Sequence, residues 1–312
     1  MKDFLVTVVV WTYNHGEFIE EALNGIINQQ RDFELEVIVG DDFSTDGARE
    51  IITGFSEKYS FIKPLLPDRN YGPNENVKQT LLASRGKYIA FLDGDDYWCD
   101  NFKLQKQVDF MERNNEVNLC FNNVRIIGRG EAESMAYLPS RKKYIDCYDL
   151  IQGDFTHTNA TIVRNSKGLF DPVINNQLPG SDTVLFLLPL IKGGVGYFFS
   201  EIMSVYRVHR GGVFSMKSVH QRYKQGIKDM SILKEYFNDK KFKSAFLKAR
   251  ADMYLQYSIE FAMNRSLLKF IFFHVKFVWV SLRRLDFVKA FYPYYVFIMS
   301  FTRRQGLRQN LK

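Results

Sequence analysis

The chain has 312 residues, of which 46% are hydrophobic and 25% charged, a balance typical of a globular protein with a full α/β core and an appendage. Its formal net charge is +7. Cys99, Cys120 and Cys147 lack C-x-x-C spacing, which argues against a disulfide framework or zinc ribbon, and a first strand from Phe4 leaves no expected room for a signal peptide.

The N-terminal part alternates between strands and helices. A β-branched run predicts a first strand over residues 4–10, and residues 35–39 predict a second. Between them, apolar residues recur at three-and-four spacing over 17–30, which indicates a helix. The opening is therefore predicted to be a β-α-β unit with parallel strands.

The same alternation continues along the chain. Residues 46–58 predict a helix, 61–66 a short strand, 75–84 another helix, and the next strand ends at Asp93. In an open parallel sheet, ligands bind outside the carboxyl ends of the strands. The polar clusters that should gather at this edge are residues 12–16, 41–46, 68–72 and 93–96.

Three carboxylates follow the last of these strands within four residues, at Asp93, Asp95 and Asp96, around Gly94. Like charges this close are held together by a cation, and oxygen ligands suit Mg²⁺ or Mn²⁺, which take one or two protein carboxylates plus phosphate oxygens. We therefore predict a metal that serves a diphosphate. A solvated acidic turn that caps the next helix is the alternative.

The other clusters carry groups that suit a nucleotide. Thr12 and Asn14 can hydrogen-bond a base or ribose, and Asp41 or Asp42 can accept from a base N–H or a ribose hydroxyl. Arg85 can meet phosphate or base oxygens. Neither a Walker A loop nor a G-x-G-x-x-G turn follows these strands, so a metal is expected to hold the phosphates.

The combination of these motifs and their order along the chain resemble those of the family 2 glycosyltransferases of the GT-A fold, over roughly the first two hundred residues. The resemblance implies an α/β fold with a Rossmann-like mixed central sheet flanked by helices, and a nucleotide-sugar donor, most often a UDP-sugar. The matching segments are Thr12 to Asn14, Asp41 to Gly47, Asn70 with Gly72, Ala83 to Ile89 and Leu92 to Asp96.

Site roles follow from this resemblance. Asp42 is expected near the base, and Asp93 to Asp95 are expected to hold the metal against the diphosphate. Trp11 stands where the family usually has Pro, and Gly94 replaces the commoner Ser; neither is expected to disturb the metal site. The implied nucleotide-sugar-binding set is Thr12, Tyr13, Asn14, Asp41, Asp42, Asn70, Arg85, Asp93 and Gly94.

The resemblance also implies roles in the second half. Asp182 matches the family's catalytic base, although Ser181 stands where Glu is usual, and a helix N-cap is a compatible alternative role. His209, with Asp93 and Asp95, is expected to reach the metal or pyrophosphate. The predicted acceptor or leaving-group side is His157, Arg207, Asp96 and Trp98.

The C-terminal segment 265–312 is basic and aromatic. It holds ten Lys or Arg against one acid, a charge of +9, so the rest of the chain carries 7 − 9 = −2. Its apolar runs are shorter than the roughly 20 residues that span a bilayer. Peripheral attachment to a membrane surface is favoured. A packed helical appendage is an alternative; a nucleic-acid patch is another, but no nucleic-acid motif accompanies it.

We therefore predict a GT-A domain over residues 1–217, with a nucleotide-sugar-binding half, 1–115, and an acceptor-binding half, 116–217. A helical extension, 218–312, follows. The predicted activity is metal-dependent, inverting transfer from a nucleotide-sugar to a glycan or lipid-linked oligosaccharide in surface polysaccharide synthesis, on the cytoplasmic, inner face of the plasma membrane. A sugar-phosphate nucleotidyltransferase and a catalytically silent, glycosyltransferase-like interaction protein are the alternatives.

Overall fold

The computed structural model describes residues 2–128, 134–136, 142–152, 156–191, 193–212, 219–237, 240–263 and 267–282. The chain forms two compact units. The first comprises Met1–Leu150 and Asp154–Met216, and the second comprises Ile151–Gly153 and Lys217–Lys312.

Strands and helices alternate through the first part of the chain. The strands are β1 Lys2–Thr12, β2 Phe33–Asp41, β3 Ile62–Leu65, β4 Tyr88–Asp93, β5 Tyr97–Trp98, β6 Val117–Ile127, β7 Ser134–Met135, β8 Tyr144–Ile145, β9 Ile162–Arg164 and β10 Val195–Arg207. The helices up to residue 216 are α1 Ile19–Ile27, α2 Ala48–Lys58, α3 Pro73–Ala83, α4 Lys103–Arg113, α5 Cys147–Ile151, α6 Asp171–Ile174 and α7 Asp182–Ile191.

The strands form one mixed sheet in the order β3-β2-β1-β4-β9-β6-β10-β5, with β7 on β6 and β8 on β10. β1 pairs in parallel with both β2 and β4, so the predicted parallel β-α-β opening is confirmed. β9 runs antiparallel to β4 and β6. The mixed sheet with flanking helices confirms the predicted fold class.

The core lies between the sheet and its helices. Alternate residues of β1, Val6, Val8 and Val10, are fully buried in one cluster with Ile19 and Leu23 of α1. The predicted α1 was longer at both ends, because residues 15–18 form a turn in which the carbonyl of His15 accepts from the following amides. α3 begins at Pro73, earlier than predicted, since Pro suits the first helical position.

The second unit is helical, with α8 Val219–Tyr236, α9 Lys240–Met263 and α10 Leu267–Leu282, so the helices predicted between 218 and 263 are confirmed. Aromatic rings join α9 to α10, with Phe273 stacked on Tyr257 at a centroid distance of 4.6 Å. Among the helices the structure describes, none is long and apolar enough to cross a bilayer. Residues 283–312, which make up most of the segment predicted to attach to a membrane surface, lie outside the described residues.

Candidate active site at the carboxyl edge of the sheet

The carboxyl ends of β1, β2 and β4 meet at one edge of the sheet. Thr12 lies opposite Asp41, and Trp11 lies opposite Asp93, in parallel register. The loop after β4 is fastened to β1 because the N–H of Gly94 donates to the carbonyl of Trp11 at 2.8 Å. The expected gathering of these polar segments is therefore confirmed.

Asn14 ties the loop after β1 to the loop after β2. Its side-chain oxygen accepts from the Thr45 N–H at 2.9 Å, and its own N–H donates to the Ser44 hydroxyl at 2.8 Å. Asn14 has a φ of +55°, a conformation that Asn tolerates better than most residues. The predicted nucleotide ligand is thus also the residue that sets the shape of this edge.

Asp41 and Asp42 are both buried and both hold loops. Asp41 accepts hydrogen bonds from the N–H and the hydroxyl of Ser44. One oxygen of Asp42, Oδ1, accepts from the N–H groups of Tyr71 and Gly72, at 2.9 and 3.2 Å. The two carboxylates therefore fix the loop that follows each of the neighbouring strands β2 and β3.

The loop after β3 is anchored by Asn70, whose side-chain N–H donates to the Asp42 carbonyl at 2.9 Å. Tyr71 is exposed beside it, with the Arg69 guanidinium 4.6 Å from its ring centroid. Tyr13, predicted to contact the nucleotide, is also exposed. Aromatic surfaces thus border the edge where a nucleotide base can stack.

Phe43 was not among the predicted site residues. It has a φ of +69°, which is strained for a bulky residue, and it lies in the loop that carries Asp41 and Asp42. The Arg49 guanidinium lies 5.4 Å from its ring centroid. Strain of this kind clusters at binding sites; sequence reasoning missed it because a β-region φ is the default for Phe.

Carboxylates from two distant parts of the chain share one electrostatic environment. The pKa of Asp93 lies well above its usual range, first because burial disfavours the charged form, and then because of the negative charges of Asp95 and Asp182. A hydrogen bond from Thr158 opposes this rise. Asp182, the first residue of α7, is therefore brought to the acidic loop after β4.

Asp96 is buried and joins the acidic loop to the far side of the sheet. Its Oδ2 accepts from the Asn159 side chain and its Oδ1 from the Arg207 N–H, each at 2.9 Å. Burial, followed by the charges of Asp95 and Asp93, raises its pKa well above the usual range. The prediction that Asp96 faces the acceptor or leaving group is corrected: a side chain enclosed by these partners positions the loop.

Trp98 is likewise buried rather than exposed to an acceptor, which corrects its predicted role. Its indole N–H donates to the Asn159 carbonyl at 2.7 Å, and the Lys103 ammonium lies 4.4 Å from its ring centroid. Trp98 helps to position the acidic loop indirectly, because Asn159, whose carbonyl it binds, also donates to Asp96.

Arg207 ends β10 beside the acidic loop. One guanidinium nitrogen donates to the Asp95 carbonyl at 2.8 Å, and another pairs with Glu21 of α1. Its guanidinium packs on Tyr97 and Phe18, 4.4 and 5.2 Å from the ring centroids. A cation held next to Asp95 can stabilise a negative charge that develops nearby.

Two imidazoles converge on Asp95. His209 Nε2 lies 3.0 Å and His15 Nε2 lies 3.7 Å from the same carboxylate oxygen, Oδ2. Burial lowers the pKa of His15, although the Asp95 charge opposes this shift. His209 was predicted in this position, whereas His15 was not, because its position in the loop after β1 gives no sign of a partner 80 residues away.

The donor set fits a divalent cation that a diphosphate helps to hold. Asp95 and His209 offer one oxygen and one nitrogen within 3.0 Å of each other, and Mn²⁺ or Mg²⁺ takes few protein ligands when phosphate oxygens complete the sphere. Within the described part of the chain, no three His, Cys, Asp or Glu side chains form a metal cage by themselves. Asp93, also predicted as a ligand, is the last residue of β4 and directly precedes the acidic loop.

Gly94 is enclosed. A Cβ at this position would lie 2.8 Å from both Cβ and Oγ1 of Thr12, and 3.1 Å from Nδ1 of His15. The same two polar atoms, Thr12 Oγ1 and His15 Nδ1, are buried without a hydrogen-bond partner among the described residues. A side chain at position 94 would therefore collide with Thr12 at the end of β1.

Two predicted residues are placed differently. The His157 ring lies 5.2 Å from that of Tyr206, near the carboxyl end of β10, on the predicted acceptor side. Arg85, however, precedes β4 and lies at its amino end. Its guanidinium donates to Oε2 of Glu36 at 2.9 Å. The predicted nucleotide contact of Arg85 is corrected, since the parallel strands carry the site at their other end.

Comparison with known proteins places this arrangement in a family. The family model described as "Glycosyl transferase family 2" matches residues 7–168, which is just over half of the chain. An uncharacterized Mycobacterium tuberculosis protein is 35% identical over 211 residues, 67% of this chain and 60% of the relative. The chain therefore spans about 60% of the length of that relative.

A second relative is the Escherichia coli UDP-Glc:alpha-D-GlcNAc-diphosphoundecaprenol beta-1,3-glucosyltransferase WfgD, 31% identical over 144 residues, 46% of this chain and 55% of the relative. Among solved structures, S. aureus TarS 1–349 with UDP-GlcNAc matches with a TM-score of 0.69 at 18% identity, covering 96% of this chain and 92% of that one. The Pyrobaculum calidifontis mannosyltransferase PcManGT with GDP-Man and Mn²⁺ gives 0.57 at 17%, covering 97% and 87%. These structures share the fold.

Proposed function

Because the chain belongs to glycosyl transferase family 2, we propose that it transfers a sugar from a nucleoside diphosphate sugar to an acceptor hydroxyl. The observation that carries this proposal is the acidic loop at the carboxyl edge of the sheet, where Asp95 contacts His209 and Arg207, and where the charge of Asp182 acts on Asp93. A chain that served only as an interaction module would have no need to keep three mutually repelling carboxylates together.

Asp182 is proposed as the general base. Asp182 is exposed at the start of α7, where the helix dipole favours a carboxylate. Its negative charge raises the pKa of Asp93. A base at this position can take the proton from the acceptor hydroxyl as that oxygen attacks the anomeric carbon. A single displacement of this kind inverts the anomeric configuration.

Arg207 and a metal are proposed on the leaving-group side. The Arg207 guanidinium faces the Asp95 carbonyl, where it can stabilise the charge that develops on the departing diphosphate. Asp95 and His209 would hold Mn²⁺ or Mg²⁺, which when bound supplies Lewis-acid stabilisation of the diphosphate. The Mn²⁺ in the PcManGT structure supports this choice of metal.

The donor is proposed to be a UDP-sugar, and the acceptor a lipid-linked glycan of a surface polysaccharide. TarS binds UDP-GlcNAc, and the name of WfgD gives both a UDP-sugar and a diphosphoundecaprenol-linked acceptor. Such an acceptor would keep the enzyme at the cytoplasmic face of the plasma membrane. Among the described side chains, Tyr13, Phe43 and Tyr71 are exposed rings that border the proposed base site.

The test is a donor screen. Purified protein with Mn²⁺ is given a panel of UDP-, GDP- and dTDP-sugars, with and without a lipid-linked acceptor extract, and nucleoside diphosphate release is followed. We expect metal-dependent release from one donor, abolished by Asp95→Asn, while the exposed carboxylate variant Glu57→Gln keeps full activity.

Asp182→Asn separates binding from transfer. We expect the variant to bind the donor normally, by calorimetry, while transfer falls about 10²- to 10⁴-fold, the usual contribution of a general base. A product that retains the donor's anomeric configuration would overturn the proposed displacement. Equal turnover in Asp95→Asn and wild type would overturn the metal site.

A further inference from the structure

Helix α10 exposes an apolar face. At about 100° per residue, five of its large apolar side chains fall within an arc of roughly 100°. Each has between 46% and 84% of its surface exposed. They are Leu268, Ile271, Phe272, Val275 and Trp279. Exposed apolar side chains this concentrated mark an interaction surface.

The opposite side of α10 already has a role in the fold. Phe270, Phe273 and Phe277 are buried there, and Phe273 stacks on Tyr257 of α9. The exposed face is therefore not needed to hold α10 on α9. A helix with apolar side chains on both sides uses the second side for a partner.

The charge of α10 identifies the chemistry of that partner. Its 16 residues include Lys269 and Lys276 and no acid, and both lysines lie along the border between the exposed and buried faces. The Lys276 ammonium lies 4.2 Å from the Phe272 ring centroid, so its stem follows the exposed apolar surface. Residues 265–312 carry +9 in sequence.

This combination disfavours two other partners. A second copy of the chain would bring equal positive charges together across the face, which is repulsive. A nucleic acid would satisfy the charge, but it would leave the large apolar side chains in water. An anionic lipid surface satisfies both features, because apolar side chains enter the acyl boundary and lysines meet lipid phosphates.

We propose that the exposed face of α10 seats the protein on an anionic phospholipid surface, with the helix lying in the plane of the interface. Phe272 and Trp279 enter the headgroup region, and Lys269 and Lys276 bind phosphate groups. This proposal depends on the proposed function only for the purpose of membrane binding, which is to bring the enzyme to a lipid-linked acceptor.

The experiment uses the full chain and vesicles of phosphatidylcholine with or without phosphatidylglycerol. Of the three tryptophans, Trp279 is exposed, Trp98 is buried and Trp11 is half-buried, so brominated lipid should quench the wild type far more than Trp279→Phe if Trp279 enters the bilayer. Lys269→Gln/Lys276→Gln should weaken binding roughly thirtyfold. Phe272→Ser/Trp279→Ser should abolish it. The matched control is Leu82→Ser, an equally exposed apolar residue in α3.

Binding that needs phosphatidylglycerol, weakens in the lysine double variant and is lost in Phe272→Ser/Trp279→Ser supports the proposal. Equal binding of wild type and Phe272→Ser/Trp279→Ser, or binding that ignores phosphatidylglycerol, overturns it. Self-association through this face without vesicle binding also overturns it. Donor turnover in solution is measured in parallel, because a failure of the transferase proposal would appear there and leave vesicle binding unchanged.

Discussion

The backbone N–H of Arg207 donates a 2.9 Å hydrogen bond to the buried carboxylate of Asp96, joining residues 111 positions apart. This bond fixes the end of β10 against the acidic loop after β4. It thereby sets the position of the Arg207 guanidinium and, two residues further on, of His209, whose Nε2 lies 3.0 Å from Asp95. The second half of the chain reaches the proposed donor site through this contact.

Removing that carboxylate should loosen the site as well as the fold. Asp96→Ala leaves the Arg207 N–H without its acceptor and removes one of the two acceptors of the Asn159 side-chain nitrogen, which keeps the Val205 carbonyl. Each unpaired buried donor costs about 1–3 kcal/mol. We expect a lower free energy of unfolding in a urea titration and a large fall in turnover. The exposed Glu57→Ala should change neither. Wild-type turnover in Asp96→Ala would show that the contact does not position Arg207.

Gly94 gives a sharper test of geometry. Gly94→Ala adds one methyl group 2.8 Å from Thr12, so either β1 or the acidic loop must move. We expect overpacking to cost about 1–3 kcal/mol and metal-dependent turnover to fall, because Asp95 follows directly. Gly94→Ser, with the residue commoner in the family, should behave in the same way.

The control for this prediction is Gly54→Ala in α2, where an added Cβ would meet nothing within 4 Å. Helix propensity predicts that this variant is as stable as the wild type or more so. If Gly94→Ala also folds normally and keeps full turnover, then close packing of the loop on Thr12 is not what holds Asp95 in place.

The spacing of apolar residues predicted much of this fold, because the strands and helices form where that spacing has the period of a strand or a helix. The β1 valines alternate into one core cluster, and the apolar stripe of α1 covers them. The β-α-β pattern also predicted that β1 and β2 are parallel neighbours, which places Thr12 beside Asp41. The polar loops could therefore be assigned to one edge of the sheet from the sequence alone.

What the sequence could not provide are contacts made across long separations. His15 meets Asp95, and Asp96 meets Arg207, only because β1, β4 and β10 end together. No local pattern marks Phe43 for a positive φ. The wrong prediction for Arg85 could have been avoided from the sequence. A residue that precedes a strand of a parallel sheet lies at the amino end of that strand, away from the edge where ligands bind.

Arg85→Ala tests that correction. Burial alone would raise the pKa of Glu36, but hydrogen bonds from Thr7, Arg85 and Lys63 hold it below its usual value. Thr7 and Lys63 remain in the variant, and the Arg85 side chain is largely exposed, so we expect a stability loss below about 1 kcal/mol. The Michaelis constant for the donor should not change. A higher Michaelis constant for the donor in Arg85→Ala would show that Arg85 contributes to donor binding after all.

Lys103 predicts a pH dependence of stability. Its ammonium is fully buried, donates to Gln107 Oε1 at 2.9 Å, and lies over the Trp98 ring. Burial lowers its pKa from 10.5 to about 7. Between these two values the unfolded chain binds more protons than the folded chain, so the free energy of unfolding should rise with pH across this window. Below it, both states are protonated and this contribution is constant.

Lys103→Met should remove that rise, since Met cannot bind a proton and has a similar length. The difference between wild type and variant is expected to change by about 1.4 kcal/mol for each unit of pKa difference between the folded and unfolded states. Urea titrations at several pH values between 6 and 10.5 measure it, and subtraction removes the titration of other groups. Lys106→Met, at an exposed lysine paired with Asp100, serves as the control. Parallel curves for wild type and Lys103→Met would show that Lys103 stays protonated in the fold, because a charged lysine contributes no proton difference.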